Sequence, residues 1–212
     1  MPESRQTRPP LPIGVLLSGS GSTLANLIER LADGRLAGIR IACVISSRSA
    51  VRGVEIARGA GLPTHVVRRR DFADSVGFSN AIANRLEAAG VELVVMAGFL
   101  CYWHVPARYA GRTLNIHPAL LPAFGGRGMY GAHVHAAVLR ARAAESGCTV
   151  HLVDEQYDHG PILAQSRVAV HANDTVDSLA ARVGAAEREL YPRVLADFAA
   201  AWSAAAPPFD AT

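Results

Sequence analysis

The chain has 212 residues, half of them hydrophobic and 6% aromatic, with a formal net charge of +3. That length suits one sizeable core rather than two, and the apolar fraction excludes an extended disordered chain. All 21 basic residues are Arg, and the one basic run, Arg68-Arg69-Arg70, lacks interleaved aromatics, so it reads as a solvated loop and not as a nucleic-acid surface.

Residues 1–11 are polar and proline-rich and are expected to form a disordered tail. The apolar run Ile13–Leu17 then reads as a buried parallel strand, too short for a leader or a membrane span. With Cys43, Cys101 and Cys148 far apart, odd in number and in apolar contexts, a reducing cytoplasm with no membrane contact is expected.

Ser18-Gly19-Ser20-Gly21-Ser22-Thr23 follows the strand, and Leu24, Leu27, Ile28 and Leu31 recur at helical spacing. Strand, glycine loop and helix bring free backbone N–H groups together, ready for an anion. The loop has no Lys, which excludes a P-loop, and Leu24 stands where a dinucleotide fingerprint needs its third glycine. The second strand, Ile39–Ile45, ends in Ser46-Ser47-Arg48 rather than an acid, so an NADP module stays open. A monophosphate is the favoured ligand, and a bare turn is the alternative.

The alternation continues with a helix over Val51–Gly59, a strand at Thr64–Val67, a helix over Phe78–Ala89 and a strand at Leu93–Met96. A short helix at Pro106–Ala110 leads to a strand at Thr113–Ile116. Strands alternating with ten-residue helices predict an α/β fold with a doubly wound, mostly parallel, Rossmann-like sheet. Ligands of such sheets bind beyond the carboxyl ends of the strands. Asn115 and His117, two residues apart on extended backbone, point there together. They fit either a catalytic pair or a buried pair satisfied by backbone.

Beyond Pro122 comes a glycine-rich loop, Phe124 to Gly131. A helix is expected over His133–Ala144, with His133 and His135 about 200° apart around its axis, one facing the site or core and the other solvent. Cys148–Val153 and Ile162–Val170 read as an antiparallel hairpin around the turn at Asp154–Pro161. Asn173-Asp174-Thr175 caps a long helix from Val176 to about Trp202. Glu187, within it, reads by itself as an ordinary exposed helix acid. The domain is expected to span 12–203, with a flexible tail at 204–212.

Taken together, these pieces resemble the phosphoribosylglycinamide formyltransferase family, from about Ile13 to Phe198. The most specific stretch is Asn115-Ile116-His117-Pro118-Ala119-Leu120-Leu121-Pro122. Ser18-Gly19-Ser20-Gly21-Ser22, Ala97-Gly98-Phe99, Gly147-Cys148-Thr149-Val150-His151, Asp158-x-Gly160-Pro161 and Glu187-Arg188-Glu189-Leu190-Tyr191-Pro192 support it in order and spacing.

The resemblance implies that Gly21, Ser22 and Thr23 hold a substrate phosphate and that Glu187 binds ribose hydroxyls. Leu100, Cys101, Tyr102, Trp103, Val153 and Asp154 would hold the folate. Asn115, His117 and Asp158 would form the catalytic group, with Asp158 keeping His117 charged. The cosubstrate implied is 10-formyltetrahydrofolate, the acceptor is phosphoribosylglycinamide, no metal is needed, and a monomer or homodimer is expected. A formyltetrahydrofolate hydrolase, or another formyltransferase on the same core, is the alternative. Cys101 and Val76 stand where the family often has Arg. The loop after Pro122 is longer than in the commonest members, so Arg127 is expected to replace a missing positive charge.

Overall fold

The computed structural model describes residues 9–204. Among them, seven strands form one sheet: β1 (Leu11–Leu17), β2 (Ile39–Ser46), β3 (Thr64–Val66), β4 (Leu93–Met96), β5 (Thr113–His117), β6 (Glu145–Leu152) and β7 (Ile162–Ala169). The helices are α1 (Ser22–Ala32), α2 (Arg52–Gly59), α3 (Ser75–Ala88), α4 (Ala132–Arg140) and α5 (Val176–Ala204), with single 3₁₀ turns at Arg69–Asp71 and Ala107–Tyr109. The sheet order is β3-β2-β1-β4-β5-β6-β7. The first five strands in that order are parallel, and β6 and β7 run antiparallel. The doubly wound expectation and the hairpin both hold.

Strand alternation divides the core between two faces. Ile13, Val15 and Leu17 of β1 and Leu93 and Val95 of β4 meet α1, α4 and α5. Leu16, Val94 and Met96 meet Phe78, Ile82 and Leu86 of α3 on the other face. Period-2 side chains on strands buried from both sides produce this division. Gly14 is glycine because α3 comes close: a Cβ there would lie 2.4 Å from Leu86 Cδ2.

The larger boundary differences from expectation fall at three places. β1 starts at Leu11, which is 3% exposed and pairs with Ile39, so Leu11 belongs to the sheet rather than to a tail. The remaining tail residues expected at the two ends, 1–8 and 205–212, lie outside the described residues. α3 starts three residues early because Asp74 Oδ1 accepts a hydrogen bond from Gly77 N at 2.7 Å, an N-cap that apolar spacing does not reveal. α4 stops at Arg140 because Arg142 takes a left-handed conformation, φ 51, and β6 then begins at Glu145.

α5 crosses the sheet face and contains Pro192. Proline has no N–H, so the carbonyl four residues back, Arg188 O, loses its helical donor. The buried side chain of Asn26 on α1 supplies it, Nδ2 donating to Arg188 O at 2.9 Å. The break is therefore satisfied, and α5 is fastened to α1 there.

Candidate active site

The carboxyl ends of β1, β4 and β5 open into a cavity of about 610 Å³. Its walls bring together all thirteen expected site residues: Gly21, Ser22, Thr23, Leu100, Cys101, Tyr102, Trp103, Asn115, His117, Val153, Asp154, Asp158 and Glu187.

Ser18, just beyond β1, is fully buried and ties three strand ends together. Its hydroxyl lies 2.6 Å from Ser47 Oγ beyond β2 and accepts from Leu100 N, beyond β4, at 2.9 Å. The chain then turns through Gly21, φ 72, into α1, whose start no side chain caps. A Cβ on Gly21 would lie 2.5 Å from Gly53 Cα, so the turn needs glycine for both conformation and space. The first N–H groups of α1 lack helical partners and face the cavity with the Ser22 and Thr23 hydroxyls, an arrangement suited to an anion.

At the opposite wall, β5 and β6 place Asn115 beside His151 and His117 beside Thr149. Asn115 Nδ2 donates to His151 Nε2 at 3.1 Å, and His151 Nδ1 donates to Leu152 O at 2.8 Å. This tautomer leaves Asn115 one free amide N–H. His117 is 3% exposed, and its Nε2 donates to Phe124 O at 2.9 Å. Asp158 bridges the two rings, Oδ2 lying 3.4 Å from His117 Nδ1 and Oδ1 3.6 Å from His151 Nε2. Gly126 N donates to Asp158 Oδ2 at 3.0 Å. Both Asp158 (φ 55) and Phe124 (φ 57) hold left-handed backbone, which is unusual for an aromatic residue and occurs where a site dictates conformation.

The pKa of His117 is shifted against the expected direction. Burial pulls it below the usual imidazole value, and although Asp158 and the Phe124 carbonyl pull upward, burial wins. Burial also pushes Asp158 up, but the neighbouring His151 and His117 rings and the Gly126 N–H together hold it below the ordinary carboxylate value. Asp158 thus opposes, without overcoming, the effect of burial on the His117 ring.

Glu187 departs from an ordinary helix acid. It is half-buried on α5, and burial raises its pKa to about 7, against a weaker opposing effect of Arg188. The Trp103 indole is 2% exposed, in the core beside α3, with Nε1 donating to Ser79 O at 3.2 Å. Tyr102 and Tyr157 meet edge-on with ring centroids 5.4 Å apart, and Tyr102 Oη donates to Glu155 O at 2.8 Å. Burial pushes Asp154 up, but His159 at 2.8 Å and the Gln156 N–H outweigh it and leave the carboxyl low.

His151, at the cavity beside Asn115, is the side chain that residue-level reading passed over. Its signal was Thr149 and His151, two polar residues on the same side of an otherwise apolar strand. Thr149 Oγ1 donates to Ala119 O at 2.7 Å and accepts from Leu121 N at 3.0 Å, fixing the segment after His117. Of the His133/His135 pair, His135 is buried at the cavity and His133 is exposed, as helical geometry requires. Among the described residues, no group of three His, Cys, Asp or Glu is placed to hold a metal ion, and no helix is long and apolar enough to cross a membrane.

The cavity of this α/β fold thus has a bare helix start at one end and an amide, two imidazoles and a carboxylate at the other. Residues 12–195 match the formyl transferase family, and the chain belongs to that family. It is 42% identical over 186 residues to the chloroplastic phosphoribosylglycinamide formyltransferase of Arabidopsis thaliana, covering 86% of this chain and 63% of that protein. It is 34% identical to the Haemophilus influenzae phosphoribosylglycinamide formyltransferase, covering 86% of this chain and 84% of that one. The crystal structure of glycinamide ribonucleotide transformylase 1 from Symbiobacterium toebii superposes with a TM-score of 0.85 at 38% identity, covering 91% of this chain and 89% of that one. The chain spans 14% of another relative, the Drosophila melanogaster trifunctional purine biosynthetic protein adenosine-3, at 39% identity.

Proposed function

We propose that the chain transfers the formyl group of 10-formyltetrahydrofolate to the amine of 5-phosphoribosylglycinamide, a step of purine synthesis. The observation that carries this reading is the shared cavity. It joins the α1 start, Glu187 and the Asn115–His117–Asp158–His151 group in one space, with the β4 end between them. The names of the phosphoribosylglycinamide formyltransferases above support the acceptor and the formyl group.

The phosphate sits on the N–H groups at Gly21–Thr23, and the ribose hydroxyls donate to Glu187. The pterin lies along Leu100–Trp103 and the Val153–Asp158 loop. The acceptor amine attacks the formyl carbon, and the carbonyl electron pair moves onto oxygen. Asn115, held by His151, directs its free N–H at that oxyanion. The amine then loses its proton toward the Asp158–His117 pair, where the neutral ring has room for it and the carboxylate stabilises the imidazolium. Collapse of the intermediate breaks the bond between the formyl carbon and N10, and N10 takes up a proton. The products are the formylated acceptor and tetrahydrofolate.

The test is a formyl-transfer assay with both substrates, beside His117→Ala and Asp158→Asn. Both variants are expected to lose about 10²–10⁴-fold in kcat, the range of general acid–base and oxyanion contributions, while keeping the fold by circular dichroism. Wild-type kcat in both would remove this site from the chemistry. Release of formate without formylation of the acceptor would assign the chain to the hydrolases.

A further inference from the structure

Tyr191 is fully buried, and its hydroxyl lies 3.1 Å from Met96 O and 3.1 Å from Leu114 O. Met96 ends β4, four residues before Leu100, where the segment given to the pterin begins, and Leu114 immediately precedes Asn115 on β5. Tyr191 itself lies one helical turn beyond Glu187 on α5, so the two side chains rise from the same helix face. Its single O–H proton is shared between carbonyls of two neighbouring strands. The next residue is Pro192, where the helix loses an internal hydrogen bond and Asn26 holds Arg188 O. At this weakened turn, α5 is hydrogen-bonded to the sheet through the Tyr191 hydroxyl, and to α1 through Asn26 and the Arg30–Glu189 ion pair.

We infer that Tyr191 is a positioning residue for the transfer, its hydroxyl fixing the Glu187 turn of α5 to the strand ends that carry Asn115 and the donor segment. This rests on the proposed function, in which Glu187 holds the acceptor and the sheet holds the donor. Both β4 and β5 belong to the sheet, so donor and oxyanion amide stay together when the hydroxyl is lost. The acceptor, carried by the helix, drifts relative to both.

The test compares Tyr191→Phe with Tyr109→Phe. Tyr109 is also buried, and its hydroxyl donates to Val91 O at 3.4 Å, before the amino end of β4 and away from the cavity. Both variants should melt a few degrees early. Tyr191→Phe should lose roughly tenfold in kcat and raise the acceptor KM while leaving the donor KM unchanged, between the effect of one hydrogen bond and that of a misplaced substrate. Tyr109→Phe should keep wild-type constants. Amide hydrogen exchange without substrates should quicken at 97–98, 114–117 and 187–191 in Tyr191→Phe alone. Wild-type kinetics in Tyr191→Phe, or equal losses in both variants, would overturn the assignment. A wild-type protein that transfers no formyl group refutes the proposed function instead, and the exchange pattern then decides the role of Tyr191 by itself.

Discussion

A half-buried carboxyl group on a helix loses hydration, and Glu187 shows the consequence in a pKa near 7 where an exposed glutamate has 4.5. Its folded pKa lies above the unfolded one, so the folded state binds the extra proton between those values. Stability from this group is therefore full below about pH 4.5 and is lost as pH rises through about 7. The displacement is worth about 3 kcal/mol. Such a cost at neutral pH suits a carboxylate whose missing partners are ligand hydroxyls. Glu187→Gln should melt at the same temperature as the wild type near pH 4.5 and several degrees higher near pH 8, with a raised acceptor KM. Parallel melting curves across that range, measured calorimetrically, would refute the coupling.

Among the elements, α5 depends most on distant residues. Asn26→Ala would leave Arg188 O buried without a donor and release Arg30 Nε, which Asn26 Oδ1 accepts at 3.3 Å. An unsatisfied buried group costs about 1–3 kcal/mol, so the urea midpoint should fall accordingly. An unchanged midpoint would show that water replaces the amide. The same contrast explains what could be read from the chain beforehand. β4 was legible to the residue because four consecutive apolar side chains on a doubly covered strand follow from local chemistry. The Asn115–His117 pair was legible through strand polarity. Asn26 was not, because its partner, Arg188 O, lies 162 residues away and is left without a helical donor by Pro192. Nor was the lowered pKa of His117, since it depends on how deeply the loop from Phe124 to Gly131 and the Asp158 turn bury the ring. Glu187 looks exposed in sequence for the same cause: only packing of α5 across the strand ends removes its water.

At the scale of the molecule, the net charge of +3 would attract the two proposed reactants, a phosphate ester and a folate bearing glutamate carboxylates, which are both anionic. Arg127 is exposed in the glycine-rich loop at the cavity wall, close enough to Tyr157 to oppose the upward push that burial gives its phenol. Neither Cys101 at the cavity nor Val76, 52% exposed, can meet a carboxylate. Arg127 is then the cation best placed for the donor's tail. An exposed ion pair is worth up to about 1 kcal/mol, or about fivefold in affinity, and weakens as salt shortens the screening length from ~30 Å at 0.01 M to ~10 Å at 0.1 M. Arg127→Ala should therefore raise the donor KM by up to about fivefold at low salt, leave kcat unaltered, and flatten the salt dependence of kcat/KM for the donor. Its acceptor KM should not move, because the proposed phosphate site at the start of α1 lies on the far wall. A donor KM and Kd equal to the wild type at low salt would show that the longer loop serves another purpose than charge.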